Sequence, residues 1–267
     1  MKKLFIVLIC VGMVAGIGIG GFMMLQTLGQ EQGQEQTRQE QKQPKYSTRE
    51  SVFADANPSL SEAEVKKRVA MNLDQEPYTS AAEVKDPDSI TVLVNQYNTL
   101  PSDYMPEDLD VVVQDEQGVI ALRKEAADAY RALEAEAKEN QVDLRIMTAF
   151  IPYDSIQASY EELKKAHGEA AVDASFSRPG SSEYQTGLSA DIQIGEGENA
   201  QQNIAQNEQY AWLLDRLPAH GFIVRYPEDK AVYTQMNGQP WHIRYVGKDA
   251  AQAMTKDGLC LEEYALR

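Results

Sequence analysis

Leu188, Ala190, Ile192 and Ile194 alternate with polar residues just after the turn-forming run Arg178-Pro-Gly-Ser-Ser. A period of two over that length specifies a strand with one face on a core and Asp191 on the other. A second stretch, Gln239-Pro-Trp-His-Ile-Arg-Tyr245, puts His242 at the head of another short strand. An Asp and a His on separate strands, each beside residues that stiffen the backbone, make half of a metal site. The chain holds 3 histidines. His167 and His220 each precede a Gly at an expected helix end, where a partly cationic ring suits the C-terminal dipole. Only His242 is left for a metal. Taken singly, Asp191 also reads as a hydrogen-bonded strand carboxylate, and His242 as a structural histidine.

The rest of the chain reads in order. Lys2 and Lys3 precede an apolar run from Leu4 to about Leu25, long enough to cross a bilayer. An uncleaved signal-anchor is favoured over a cleaved signal peptide, because the run is long, Gly-rich and followed by glutamines rather than a small-residue cleavage site. The charge bias then leaves the bulk of the chain extracytoplasmic, in the cell envelope. Residues 26–45 carry almost no apolar side chains and read as a flexible tether. Residues 46–267 form the folded domain, with a lead-in over 46–110 and a core over 111–267.

Ser61-Glu-Ala-Glu64 is a capping box that opens a helix bearing Val65, Val69 and Met71. Ile90–Tyr97 reads as a short strand, residues 119–139 as one amphipathic helix, and Val142–Phe150 as a strand. Helices are expected over Ser155–His167 and Tyr210–His220, and final strands over Gly221–Tyr226 and His242–Val246. Helices first and short strands after suggest α+β rather than an alternating parallel sheet. A net charge of −16 argues against nucleic acid and anionic lipid as partners. Cys10 and Cys260 are the 2 cysteines; one lies in the apolar run and the other near the C-terminus, so no Cys-based metal cluster can be written.

The two central stretches resemble the zinc motifs of the VanY-like D-alanyl-D-alanine carboxypeptidases, which read Ser-Glu-His-x-x-Gly-x-x-x-Asp and Glu-Pro-Trp-His. Gln185-Thr-Gly-Leu188, Trp241-His-Ile-Arg-Tyr-Val-Gly247, Gly221-Phe-Ile-Val-Arg-Tyr-Pro227 and the lead-in Leu93–Pro101 resemble the family as well, so that the likeness spans about 60–267. It implies the hedgehog/DD-peptidase-like fold, a small antiparallel sheet flanked by helices, behind the N-terminal membrane segment. It also implies Asp191 and His242 at retained metal positions, with Ser182, Trp241 and Gln157 lining a substrate cleft. Gln157 lies one place beyond the family's Gln.

Three positions depart from the pattern. Tyr184 replaces a ligand His, Gln239 stands at the general-base position, and Ile151 stands at the position of an oxyanion-steadying Arg. A phenol ligates zinc only after losing a proton that an imidazole does not carry at neutral pH. Loss of a base costs about 10²–10⁴ in rate, and loss of an oxyanion partner on the order of 10²–10³. Glu183 is expected to point away from the site. The resemblance therefore implies an envelope protein that recognises a peptidoglycan stem peptide, or an envelope protein partner, with zinc hydrolysis lost or strongly impaired. Zinc is expected only if the site is functional. An active zinc D,D-carboxypeptidase and a non-catalytic interaction module with a filled cleft stay open as alternatives.

Overall fold

Two serine caps begin the described part of the chain, which in this computed structural model comprises residues 45–116, 118–197 and 199–267. Ser47 and Glu50 cap each other's backbone at the start of α1 (Thr48–Ala56). Ser61 caps α2 (Glu62–Ala70) through the Glu64 N–H alone. The Glu64 carboxylate, expected to complete a box there, instead accepts from Arg68 and Tyr233. Val65, Val69 and Met71 are buried as expected.

The expected strand over Ile90–Tyr97 is not formed. Pairing joins β1 (Ala82–Glu83) in parallel to β2 (Asn98–Thr99), and 90–97 holds only an isolated bridge at Asn95. Two of its carbonyls are taken by a side chain: Arg244 Nη2 donates to the carbonyl oxygens of Ile90 at 3.1 Å and Val92 at 2.9 Å.

β3 (Leu109–Asp115) and β4 (Gly118–Arg123) make an antiparallel hairpin, so the helix expected from 119 starts later, as α3 (Lys124–Glu139). Ile120 and Leu122 continue the helical stripe by spacing, but the β-branched run Val111–Val113 offers them a partner strand, and pairing wins. Ala126, Ala127, Tyr130, Leu133 and Ala137 form the buried stripe of α3.

β5 (Leu144–Thr148), α4 (Tyr153–His167) and α5 (Glu169–Asp173) come next, followed by β6 (Ser189–Ile194) and α6 (Tyr210–Arg216). β7 (Phe222–Tyr226), α7 (Ala231–Thr234), β8 (Gln239–Tyr245), α8 (Lys248–Asp257) and α9 (Leu261–Tyr264) complete the domain. Four strands form one antiparallel sheet in the order β5-β6-β8-β7. The class is α+β, with small sheets and surrounding helices.

The β6–β8 register decides where the chemistry goes. Asp191 pairs with His242, Ala190 with Ile243, and Ser189 with Arg244. Successive strand residues face opposite ways. Leu188, Ala190, Ile192 and Ile194 therefore enter the main core with Tyr130, Leu133 and Ile243. Ser189, Asp191, His242 and Arg244 share the other face. The apolar run over 1–25 and the tether over 26–45, apart from Lys45, lie outside the described residues. Among the described residues no helix is long and apolar enough to cross a membrane.

Candidate functional site

Gly187 sets up the site. Residues Glu183–Thr186 form a 3-10 turn rather than a strand, and Gly187 ends it with φ +67°. A Cβ there would meet Arg123 Cγ at 3.0 Å and Leu109 Cδ2 at 3.2 Å, so the left-handed backbone and the tight contact both require glycine. The turn swings Glu183 and Tyr184 over the polar face of the sheet, and β6 begins two residues later.

Asp191 is the hub. Tyr184 Oη donates to its Oδ1 at 2.9 Å, and Gln201 Nε2 donates to its Oδ2 at 2.9 Å. His242 Nδ1 lies 2.8 Å from the same Oδ1. Because Asp191 is the acceptor in both other bonds, Nδ1 carries the proton, and Nε2 is the free ring nitrogen. Nε2 is buried without a hydrogen-bond partner among the described residues. Tyr184 stands edge-on to the His242 ring, with centroids 4.9 Å apart and planes at 78°, and Tyr226 lies against the imidazole at 5.2 Å. Burial, then the neighbouring Asp191 charge, pushes the Tyr184 phenol well above its ordinary value.

A cavity of only about 30 Å³ remains beside the triad, lined in part by Ser175, Ser182, Tyr184, Gln239 and His242. That is room for about one water molecule. Gln239 turns its amide nitrogen to the Ser175 carbonyl at 3.1 Å. The Ile151 N–H donates to the Tyr184 carbonyl at 3.3 Å, which puts the apolar Ile151 side chain beside the turn.

Two residues expected at a substrate cleft are elsewhere. Trp241 packs against the main core, because it alternates with His242 along β8. Gln157 is exposed on α4 and does not line the cavity. Gln201 was not expected at all: it comes from the polar segment after β6, where nothing in the local pattern marks a contact to Asp191.

Glu183 does point away from the triad, but because of the turn and not because of strand alternation. It is wholly buried between two arginines, with Arg225 Nε at 2.6 Å, Arg244 Nη1 in contact and Ser189 Oγ at 3.0 Å. Burial pushes this carboxyl up, but Arg244 and Arg225 more than offset it and hold it at about 2. Arg225 also grips Glu262 of α9 at 2.7 and 3.0 Å. Glu228 and Asp229 are exposed. Among the described residues no three His, Cys, Asp or Glu side chains gather as a metal-binding group.

Residues 119–248 match the VanY family, described as D-alanyl-D-alanine carboxypeptidase. A putative carboxypeptidase of Bacillus subtilis (strain 168), YodJ, is 34% identical over 187 residues, which cover 68% of this chain and 68% of that protein. Among solved structures, the LdcB LD-carboxypeptidase superposes with a TM-score of 0.63 at 33% identity, covering 70% of this chain and 90% of that one. The vancomycin resistance D,D-pentapeptidase VanY, solved with Zn(II), superposes with a TM-score of 0.55 at 30% identity, covering 66% and 98%. With a sheet register that brings Asp191 to His242 and with likeness of this extent, the chain belongs to the VanY family of D-alanyl-D-alanine carboxypeptidases.

Proposed function

We propose that this chain recognises a peptidoglycan peptide with the VanY-family fold and does not cut it by a zinc mechanism. The supporting observation is the convergence of Tyr184 Oη and His242 Nδ1 on one oxygen of Asp191, at 2.9 and 2.8 Å. Both spacings are those of hydrogen bonds, so this Asp191 oxygen is shared between the phenol and an imidazole N–H. The donor set argues the same way: a catalytic zinc takes three protein ligands and an open position for water, and here the third donor is a buried phenol whose proton is held more tightly than usual. These residues do not fit a resident zinc. Gln239 at the base position is an amide and accepts no proton, and Ile151 supplies no charge to a developing oxyanion. Extracytoplasmic placement by the apolar run over 1–25 belongs to the same proposal.

The direct test is to purify the chain, measure its zinc, and incubate it with a stem peptide ending in D-Ala-D-Ala. Binding without released D-alanine and without stoichiometric zinc is expected. Bound zinc together with released D-alanine would overturn the reading.

A second reading, a non-catalytic interaction module for an envelope protein, draws on the cavity of about 30 Å³, which is too small for an amino-acid residue. Absence of peptide binding at about 10 mM would favour it over the first.

A further inference from the structure

A larger cavity, of about 450 Å³, adjoins the closed one: Ala174 and Gln235 line the first, Ser175 and Met236 the second. Its volume is within the range of small-ligand sites. Glu76, Tyr78, Gln96, Glu169, Asp173 and Arg178 give it its chemistry.

Arg178 is fixed on three sides. Its guanidinium lies 4.2 Å from the centroid of the Tyr78 ring. Nε and Nη2 donate to Asp173 at 3.0 and 2.7 Å, and Nη2 also to Glu169 at 2.8 Å. Tyr160 adds a further donor to Asp173 at 2.8 Å, and Lys164 pairs with Glu169 from outside the cavity. A guanidinium held by two carboxylates and an aromatic face does not swing to a third acid. Counting Lys164 with Arg178 against Glu76, Glu169 and Asp173, one carboxylate is in excess. It is Glu76, an exposed side chain with no ion-pair partner among the described residues.

Gln96 provides a separate observation. It is 4% exposed, and its Nε2 faces the Thr234 and Gln235 carbonyls at 3.4 Å each. That orientation leaves Oε1, a buried acceptor, without a partner. The unmet Gln96 acceptor and a surplus carboxylate, in a cavity where the one guanidinium among the described lining residues is already committed, suit a compact cation that donates several hydrogen bonds. They repel a carboxylate or a phosphate.

We propose that this cavity binds a primary ammonium group on a short chain such as a peptide amine, with Glu76 as counter-charge, Gln96 as acceptor and the Tyr78–Arg178 stack as wall. The site is separate from the triad and does not depend on stem-peptide recognition.

The experiment titrates the full chain with Nα-acetyl-lysine amide and, in parallel, with the same compound acetylated on its side-chain amine, by ligand-observed NMR. The ammonium form should bind with a dissociation constant on the order of 1–10 mM, and the acetylated form at least about tenfold more weakly. Glu76→Gln, at an exposed and unpaired position, should weaken binding about threefold or more, and raising the salt should weaken it in the wild type. Gln96→Leu should weaken it too; if that variant does not fold, Glu76→Gln decides. Equal binding of the two probes, no binding at about 10 mM, or indifference to Glu76→Gln each overturns the site. Neither probe carries D-alanine, so a failure here leaves the stem-peptide test unaffected, and the reverse also holds.

Discussion

The triad around Asp191 and the charge cluster around Glu183 share one face of one sheet, yet they are built to opposite rules. In the cluster, two carboxylates meet two guanidiniums: Glu183 and Glu262 against Arg225 and Arg244, all with side chains no more than 2% exposed. Every charge there is matched, and Nη2 of Arg244 reaches the lead-in carbonyls while its Nε donates to the Tyr245 carbonyl. In the triad a single carboxylate takes three donors, and one ring nitrogen has none. A balanced buried cluster tolerates little, since removing one ion strands another at low dielectric. The triad involves single hydrogen bonds around one acid, so losing the Tyr184 bond leaves Asp191 two other donors.

The largest test of that contrast is Glu183→Ala. It leaves Arg225 with Glu262 alone and Arg244 with backbone carbonyls but no carboxylate, and the expected loss is about 3–5 kcal/mol in urea unfolding. A loss below about 1 kcal/mol would mean that the two regions do not differ as described.

Acid should probe the same cluster. The Glu183 carboxyl is depressed to about 2 from an ordinary value of 4.5, so its contribution is fully present above the unfolded value and fades as pH falls toward 2. Unfolding midpoints measured between about pH 5 and 2 should fall less steeply in Glu183→Gln than in the wild type.

Tyr184→Phe should cost less, about 1–3 kcal/mol, because Asp191 keeps Gln201 and His242 as donors. Gln201→Ala, at a half-buried position, should cost least, about 0.5–1.5 kcal/mol. A Gln201→Ala loss larger than that of Glu183→Ala would reverse the comparison outright.

What the sequence revealed follows the range of each interaction. Alternation over Leu188–Ile194 places a strand and puts Asp191 opposite the core, because a strand's faces are fixed by neighbours two residues apart. The β6–β8 register needs only that alternation and a second strand, and Asp191 meets His242 as the motifs imply. Gln201 was not legible, since its bond to Asp191 spans ten residues, past the end of β6 and into a segment with no periodic pattern. The ties from Arg225 to Glu262 and from Arg244 to Ile90 and Val92 span 37, 154 and 152 residues, and no local spacing encodes them. The misplaced start of α3 has a different cause: Ile120 and Leu122 satisfy the helical stripe and the hairpin alike, and only the partner strand separates the two.

The arginine of β8 that reaches back to the lead-in has a practical consequence for anyone excising this domain. A fragment cut to the family-matched 119–248 would discard the Ile90 and Val92 carbonyls at one end and Glu262 at the other. Both buried guanidiniums would lose acceptors at once. The smallest piece able to stand alone is longer, at both termini, than the piece by which its kinship is known.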